Sequence, residues 1–249
     1  MRWFLLPLIL IASCVITYGR DADVSYKIMK DAEDSVFRAQ LYNNEGFSEG
    51  WGTAFVVKHK GKRYTITAGH VCDNITFTYD HVYLKRNGKT WKVKVKKVSD
   101  KWDLCLLQNP KTNTSLDLSD DIIMNEYVYS IGFPRLPYMT ASFGRYIGNY
   151  QWQHKADRSV ERCKGDRFEL RNIHSSPIFV PSSFFTNKTC WSAHDTHVAT
   201  AKTSPGSSGG PILNSKVEVI GVTIGALDGT YWTVFVKLED LRTFLENKE

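Results

Sequence analysis

The sequence predicts an all-β fold closed by a single C-terminal helix, and three observations carry that prediction. From Gly52 onward, short runs rich in β-branched and aromatic residues alternate with turn signals. Only Leu238 to Asn247 has a clear helical pattern, with Leu238, Leu241, Phe244 and Leu245 on one face. The strand–helix alternation that a parallel sheet needs is missing, and the strand spacing fits a barrel or a sandwich. The 249 residues are 42% apolar and 23% charged, which excludes wholesale disorder and is enough to bury a core without dense stapling. Five cysteines without CxxC spacing argue against a zinc ribbon. The net charge of +6 is spread along the chain and does not mark a nucleic-acid binder.

The elements follow in order. Met1-Arg2 supplies a positive start, and Trp3 to Ile16 is a nearly unbroken apolar run of 14 residues. A membrane-spanning helix needs about 20 such residues, so residues 1–20 read as a signal peptide. Two processing sites compete. Ile11-Ala12-Ser13-Cys14 resembles a bacterial lipobox, in which a lipidated Cys14 would attach the mature chain to a membrane; the rival site follows Gly19. Either route takes the protein out of the cytosol, to be secreted or anchored in the cell envelope, where disulfides persist.

Residues 21–249 then read as one folded unit. Thr53–Lys58 and Arg63–Ala68 are neighbouring strands joined by His59-Lys60-Gly61-Lys62. Val82–Arg86 and Thr90–Val98 flank Asn87-Gly88, the strongest short hairpin signal because both turn positions need positive φ. Along the second of these, Trp91, Val93 and Val95 alternate with Lys92, Lys94 and Lys96, a half-buried strand whose lysines form a solvated face rather than a nucleic-acid stripe. Further strands are expected at Asp103–Gln108, Tyr127–Ile131, Ser142–Ile147, His197–Ala201, Val217–Ile224 and Tyr231–Lys237. Residues 150–195 fit this scheme poorly and read as an elaborated loop or insertion.

Three short motifs carry chemistry. In Gly206-Ser207-Ser208-Gly209-Gly210-Pro211 a serine sits between glycines that allow a sharp turn. There the N–H groups of Gly206 and Ser208 can converge where an oxyanion would form. Thr67-Ala68-Gly69-His70-Val71 places a histidine just past an apolar strand, unlike the six other histidines. Asp103-Leu104-Cys105-Leu106-Leu107 opens an apolar strand with an acid, and Asp100 is the rival carboxylate in a more polar stretch.

The segments around His70, Asp103 and Ser208, with Ile131-Gly132-Phe133-Pro134 and Val219-Ile220-Gly221-Val222, resemble the chymotrypsin-like serine peptidases. The resemblance spans roughly residues 35–249, is broken at 150–195, and looks closest to the bacterial HtrA-type branch without its PDZ domain. It implies two packed six-stranded β-barrels with a site in the cleft between them. His70 would be the general base, Asp103 its orienting carboxylate and Ser208 the nucleophile, with Gly206 and Ser208 forming the oxyanion hole. The implied activity is that of an exported serine endopeptidase acting on protein or peptide substrates, without metal or organic cofactor. An alternative is a binding module that keeps the fold but not the catalysis. Digestive relatives carry Asp immediately before the nucleophile, where this chain has Ser207, so a site formed without proteolytic activation is expected. The resemblance also points to Lys202 at the base of the specificity pocket, where it would favour acidic side chains, the alternative being that it faces solvent, and to Thr223 and Gly225 on the strand that substrate would join. Cys163 and Cys190 bracket the insertion and are expected to pair; Cys72 and Cys105 are bridged or are buried thiols.

Overall fold

The computed structural model describes residues 23–42, 48–73, 81–135, 137–155, 163, 168–172 and 188–247. Residues 1–20, read from the sequence as a signal peptide, with Cys14, and most of 156–187 therefore lie outside the described residues. The chain opens with helix α1 (residues 23–32) and a 3₁₀ turn, Glu33–Ser35. Strands β1 (Val36–Tyr42), β2 (Ser48–His59), β3 (Lys62–Ala68), β4 (His81–Arg86), β5 (Lys89–Ser99) and β6 (Leu104–Leu107) follow, with the short helix α2 (Gly69–Asp73) after β3. They pair in the order β1-β4-β5-β6-β3-β2, and β2 pairs back onto β1, which closes a six-stranded antiparallel barrel. A short parallel strand, β7 (Leu116–Asp117), is added at β2.

The second half repeats this plan. Strands β8 (Tyr127–Gly132), β9 (Thr140–Lys155), β11 (Lys188–Lys202), β12 (Pro211–Leu213), β13 (Val219–Ala226) and β14 (Trp232–Val236) pair in the order β9-β8-β12-β13-β14-β11, and β11 closes on β9. Strand β10 (Phe168–Asn172) pairs with β11 outside the ring. The expected double barrel is therefore present. Helix α3 (Leu238–Glu246) buries Leu238, Leu241, Phe244 and Leu245, the four residues its periodicity assigned inward.

The local chemistry explains the elements. Lys60 and Gly61, like Asn87 and Gly88, have positive φ, so the β2–β3 and β4–β5 hairpins turn through two left-handed residues each. In β5 the buried Val93 lies between exposed Lys92 and Lys94, and the alternation ends at a bulge between Val95 and Lys97. The stretch read as an insertion is entered by strands from both sides. β9 runs on to Lys155 and β11 begins at Lys188, with Trp191 opposite Lys155. That expectation is corrected at its two ends: the barrel wall extends through them.

One apolar core crosses the barrel junction, joining Phe37, Phe55 and Ile66 to Val222, Val234 and Val236, with Leu241 and Phe244 of α3. A second cluster around Val128, Ile212, Ile220 and Phe235 fills the second barrel. Disulfides join Cys72 to Cys105 and Cys163 to Cys190.

Candidate active site

The site forms where β3 ends. Its last four residues, Thr65 to Ala68, are buried, and the chain then enters α2 with Gly69 and His70. Gly69 has to be small, because a Cβ there would lie 2.9 Å from both the Asp103 carbonyl carbon and its Oδ1. The Gly69 N–H donates to the Asp103 carbonyl at 2.7 Å. The His70 backbone N–H donates to Asp103 Oδ1 at 2.8 Å, and ring Nδ1 lies 2.9 Å from Oδ2. A carboxylate only accepts, so Nδ1 carries the hydrogen and Nε2 carries the lone pair. The Asp103 side chain is 2% exposed and that of His70 41%, which places the acid behind the imidazole and the imidazole at the surface. Asp103 immediately precedes β6 rather than opening it, and its φ of 55° is left-handed. The bonds from Gly69 and His70 hold it in that uncommon conformation.

The turn that carries Ser208 packs against the end of the same strand. Gly209, with φ of 84°, lies so near the end of β3 that a Cβ would sit 2.1 Å from Thr67 Oγ1 and 2.7 Å from Ala68 N. A Cβ on Gly52 would lie 2.8 Å from Val71 Cγ2 and 2.9 Å from Ser208 O, so one glycine separates the neighbour of His70 from the Ser208 backbone. Gly206 has φ of 100°, and a Cβ would stand 2.5 Å from both Phe133 O and the Trp51 indole nitrogen. This is a position for glycine alone. In the turn, the N–H groups of Ser207, Gly209 and Gly210 are taken up by the carbonyls of Ser204, Thr223 and Ser207. Those of Gly206 and Ser208 meet no protein acceptor among the described residues, as donors kept for a ligand oxygen would. Buried Ser207 stands where digestive relatives have an acid, and the turn is held by these backbone bonds.

Thr53, fully buried on β2, fastens the turn to the first barrel. Its N–H donates to Ser208 O at 2.7 Å, and its hydroxyl donates to Gly206 O at 2.9 Å. That hydroxyl also accepts the Phe133 N–H at 3.0 Å, while Thr67 donates to the Thr53 carbonyl at 2.7 Å. Sequence reasoning missed Thr53, since nothing in a run such as Thr53–Lys58 distinguishes a threonine that packs from one that clamps.

A cavity of about 390 Å³ opens beside Ser208, walled by Thr203, Thr223, Gly225, Asp228 and Tyr231 among others. Thr223 and Gly225 are among the residues that line it. Lys202 is not; it is exposed at the end of β11, between buried Ala201 and Thr203, and the lining contains no cationic side chain. Among the described residues no three metal-ligating side chains gather.

Two antiparallel six-stranded barrels, with a His–Asp pair on one and a glycine-flanked serine turn on the other, define the chymotrypsin-like class. Residues 52–222 match the family model of the trypsin-like peptidase domain, and the chain belongs to that family. No curated protein matches it. Among solved structures it is similar to the active form of the Rv3671c protease from M. tuberculosis, with 18% identity and a TM-score of 0.65 over 90% of this chain and 85% of that one. The inactive form of that protease gives 19% identity and a TM-score of 0.62, over 90% of this chain and 93% of the other. The HtrA-type protease AlgW with a tripeptide gives 16% and 0.59, over 88% of this chain and 63% of the other. At these identities the likeness carries the fold alone.

Proposed function

We propose that the chain is an exported serine endopeptidase that cleaves peptide bonds through an acyl-enzyme. The observation that carries this reading is the Asp103–His70 pair, with both carboxylate oxygens engaged, packed against a turn that offers Ser208 and two uncommitted N–H groups. His70 Nε2 takes the Ser208 proton as Oγ attacks the substrate carbonyl, and returns it to the leaving amine. Asp103 fixes the imidazole tautomer and stabilises the imidazolium without being protonated. The N–H groups of Gly206 and Ser208 receive the oxyanion, and water then repeats the sequence on the acyl-enzyme.

The substrate backbone would add along Ile224–Ala226. β12 pairs with β13 no further than Val222, and Thr223 exchanges both its backbone bonds with Gly209 and Gly210, so the edge without a strand on the β12 side among the described residues begins after Thr223. The side chain before the scissile bond would enter the cavity beside Ser208. Export is supported by the apolar N-terminal run and by the two disulfides. No helix among the described residues is long and apolar enough to cross a membrane.

The test pairs a fluorophosphonate probe with a casein or peptide assay. Wild type should be labelled and should hydrolyse substrate. Ser208→Ala should lose the label and about 10⁶-fold in kcat, and Asp103→Asn about 10⁴-fold. Labelling that survives Ser208→Ala, or an inert wild type, refutes the assignment.

A further inference from the structure

A cavity of about 720 Å³ lies apart from the one beside Ser208. It lies between α1, β1 and the β4–β5 hairpin, and its walls carry Lys30, Arg38, Lys85, Arg86 and Lys89. The one carboxylate in the lining, Glu33, is already bonded by Lys30 at 2.6 Å. Between these charges lie Val36, Phe133 and Met139, so the groove is both cationic and apolar.

Two of its arginines are incompletely satisfied. Arg38 lies over the Trp51 ring at 5.4 Å, and its Nε is buried without a partner. The Arg86 guanidinium lies 4.7 Å from the Phe37 ring and 5.6 Å from Trp91, and its Nη1 is likewise buried and unpartnered. Its nearest acid, Asp34, is 4.0 Å from Nη2 and mostly exposed. Both arginines line the groove, and a carboxylate there would meet their positive charge. The aromatic rings hold both planes in place, so little side-chain entropy is left to lose on binding.

The groove also borders a neighbour of the serine turn. Phe133 lines it, and its carbonyl is the group that a Cβ on Gly206 would strike at 2.5 Å. The two cavities share no lining residue and meet the serine turn from separate neighbours, Phe133 and Ser208. We infer that this groove is a docking site for an acidic, apolar-containing peptide segment of the protein substrate, lying away from the bond to be cut. The inference rests on the peptidase reading for its occupant. Charge complementarity selects that occupant.

The test measures binding without turnover, so it is independent of whether peptide bonds are cleaved. Ser208→Ala protein is titrated against fluorescein-labelled peptides of equal length, one rich in Glu, Asp, Leu and Phe, one with Gln and Asn replacing the acids, and one with Lys replacing them. The acidic peptide should bind at least about tenfold more tightly than the neutral one, and raised salt should erode the difference. A Lys85→Glu, Lys89→Glu double variant, with its melting temperature checked against wild type, should weaken the acidic peptide by about tenfold and leave the neutral one unchanged. Equal binding of acidic and neutral peptides, or an unchanged Kd in the folded double variant, overturns the inference. So does tighter binding of a single-stranded oligonucleotide of equal charge, which would make the groove a general polyanion surface. Failure of the hydrolysis assay alone leaves these binding outcomes readable.

Discussion

His197 shows at the residue scale how a side chain can be committed to structure rather than chemistry. It is 4% exposed on β11, its Nδ1 lies 2.9 Å from the Tyr146 hydroxyl, and its ring packs against Tyr146 and Phe235. Nε2 is buried without a partner. Desolvation lowers its pKa from 6.5 to about 4, opposed by the charge of Glu239 and assisted by that of Lys237. The sign of the consequence follows from linkage. Between pH 6.5 and 4 the unfolded chain binds a proton there that the folded chain refuses, so stability is full above the unfolded value and falls with pH through that window. A His197→Gln variant should lose less stability than wild type on acidification from pH 7 to 4, as read from urea midpoints. Parallel curves would reject the assignment. Asp103 teaches the complementary lesson. Its pairing with His70 was legible only through the resemblance, since an acid before Leu104-Cys105-Leu106-Leu107 also reads as a cap or turn residue and Asp100 stands close by as a rival. Its left-handed φ was not legible, because the constraint comes from Gly69 and His70, which are remote in sequence.

At the scale of elements, legibility followed hydropathy. The β2–β3 and β4–β5 hairpins and the α3 face could be read because their apolar residues alternate or recur every three to four positions and their turns carry residues that tolerate positive φ. The stretches of β9 beyond Ile147 and of β11 before His197 could not. On β11 the buried positions include Ser192, His194 and Thr196, a period-two pattern written in polar residues. Ser192 and His194 satisfy each other at 2.8 Å, and Thr196 donates to the Tyr150 carbonyl at 2.8 Å. On the partner strand β9, Phe143, Ile147 and Tyr150 are exposed. A hydrophobic template reads such a sheet as irregular. The Cys72–Cys105 bridge belongs to this scale too, since it ties α2, which carries His70, to β6, which Asp103 precedes. Its ends are 33 residues apart, so a Cys72→Ala, Cys105→Ala variant should lose about 3–4 kcal/mol of unfolding free energy. Urea denaturation of the double variant beside the oxidised wild type measures this, and a loss below about 1 kcal/mol would mean the bridge constrains little.

At the scale of the molecule, the question is how two barrels keep one site aligned. Helix α3 follows the last strand of the second barrel but reaches back to the first. Glu246 pairs with His59 and Lys60 on the β2–β3 hairpin at 2.8 and 2.9 Å, and Phe244 packs edge-on against Trp102 at 6.3 Å. These contacts set the distance between barrels, but Thr53 sets the register of the serine turn on the first barrel. Thr53→Val keeps the side-chain shape and the N–H bond to Ser208 O, and removes the one hydroxyl that joins Gly206 O to the Phe133 N–H. Both groups would be left buried without partners, a cost of about 1–3 kcal/mol each if the turn stays still. The turn can avoid that cost only by moving, which carries the Gly206 N–H off the oxyanion position. A displacement of about 1 Å in such a donor typically costs about 10²-fold in rate. Since none of the residues walling the 390 Å³ cavity is altered, the loss should fall on kcat with KM little changed. Fluorophosphonate labelling should slow in parallel, and Thr53→Ser, which restores a hydroxyl at the same carbon, should recover most of both. A well-folded Thr53→Val protein with wild-type kcat would show that the turn holds its shape without the first barrel.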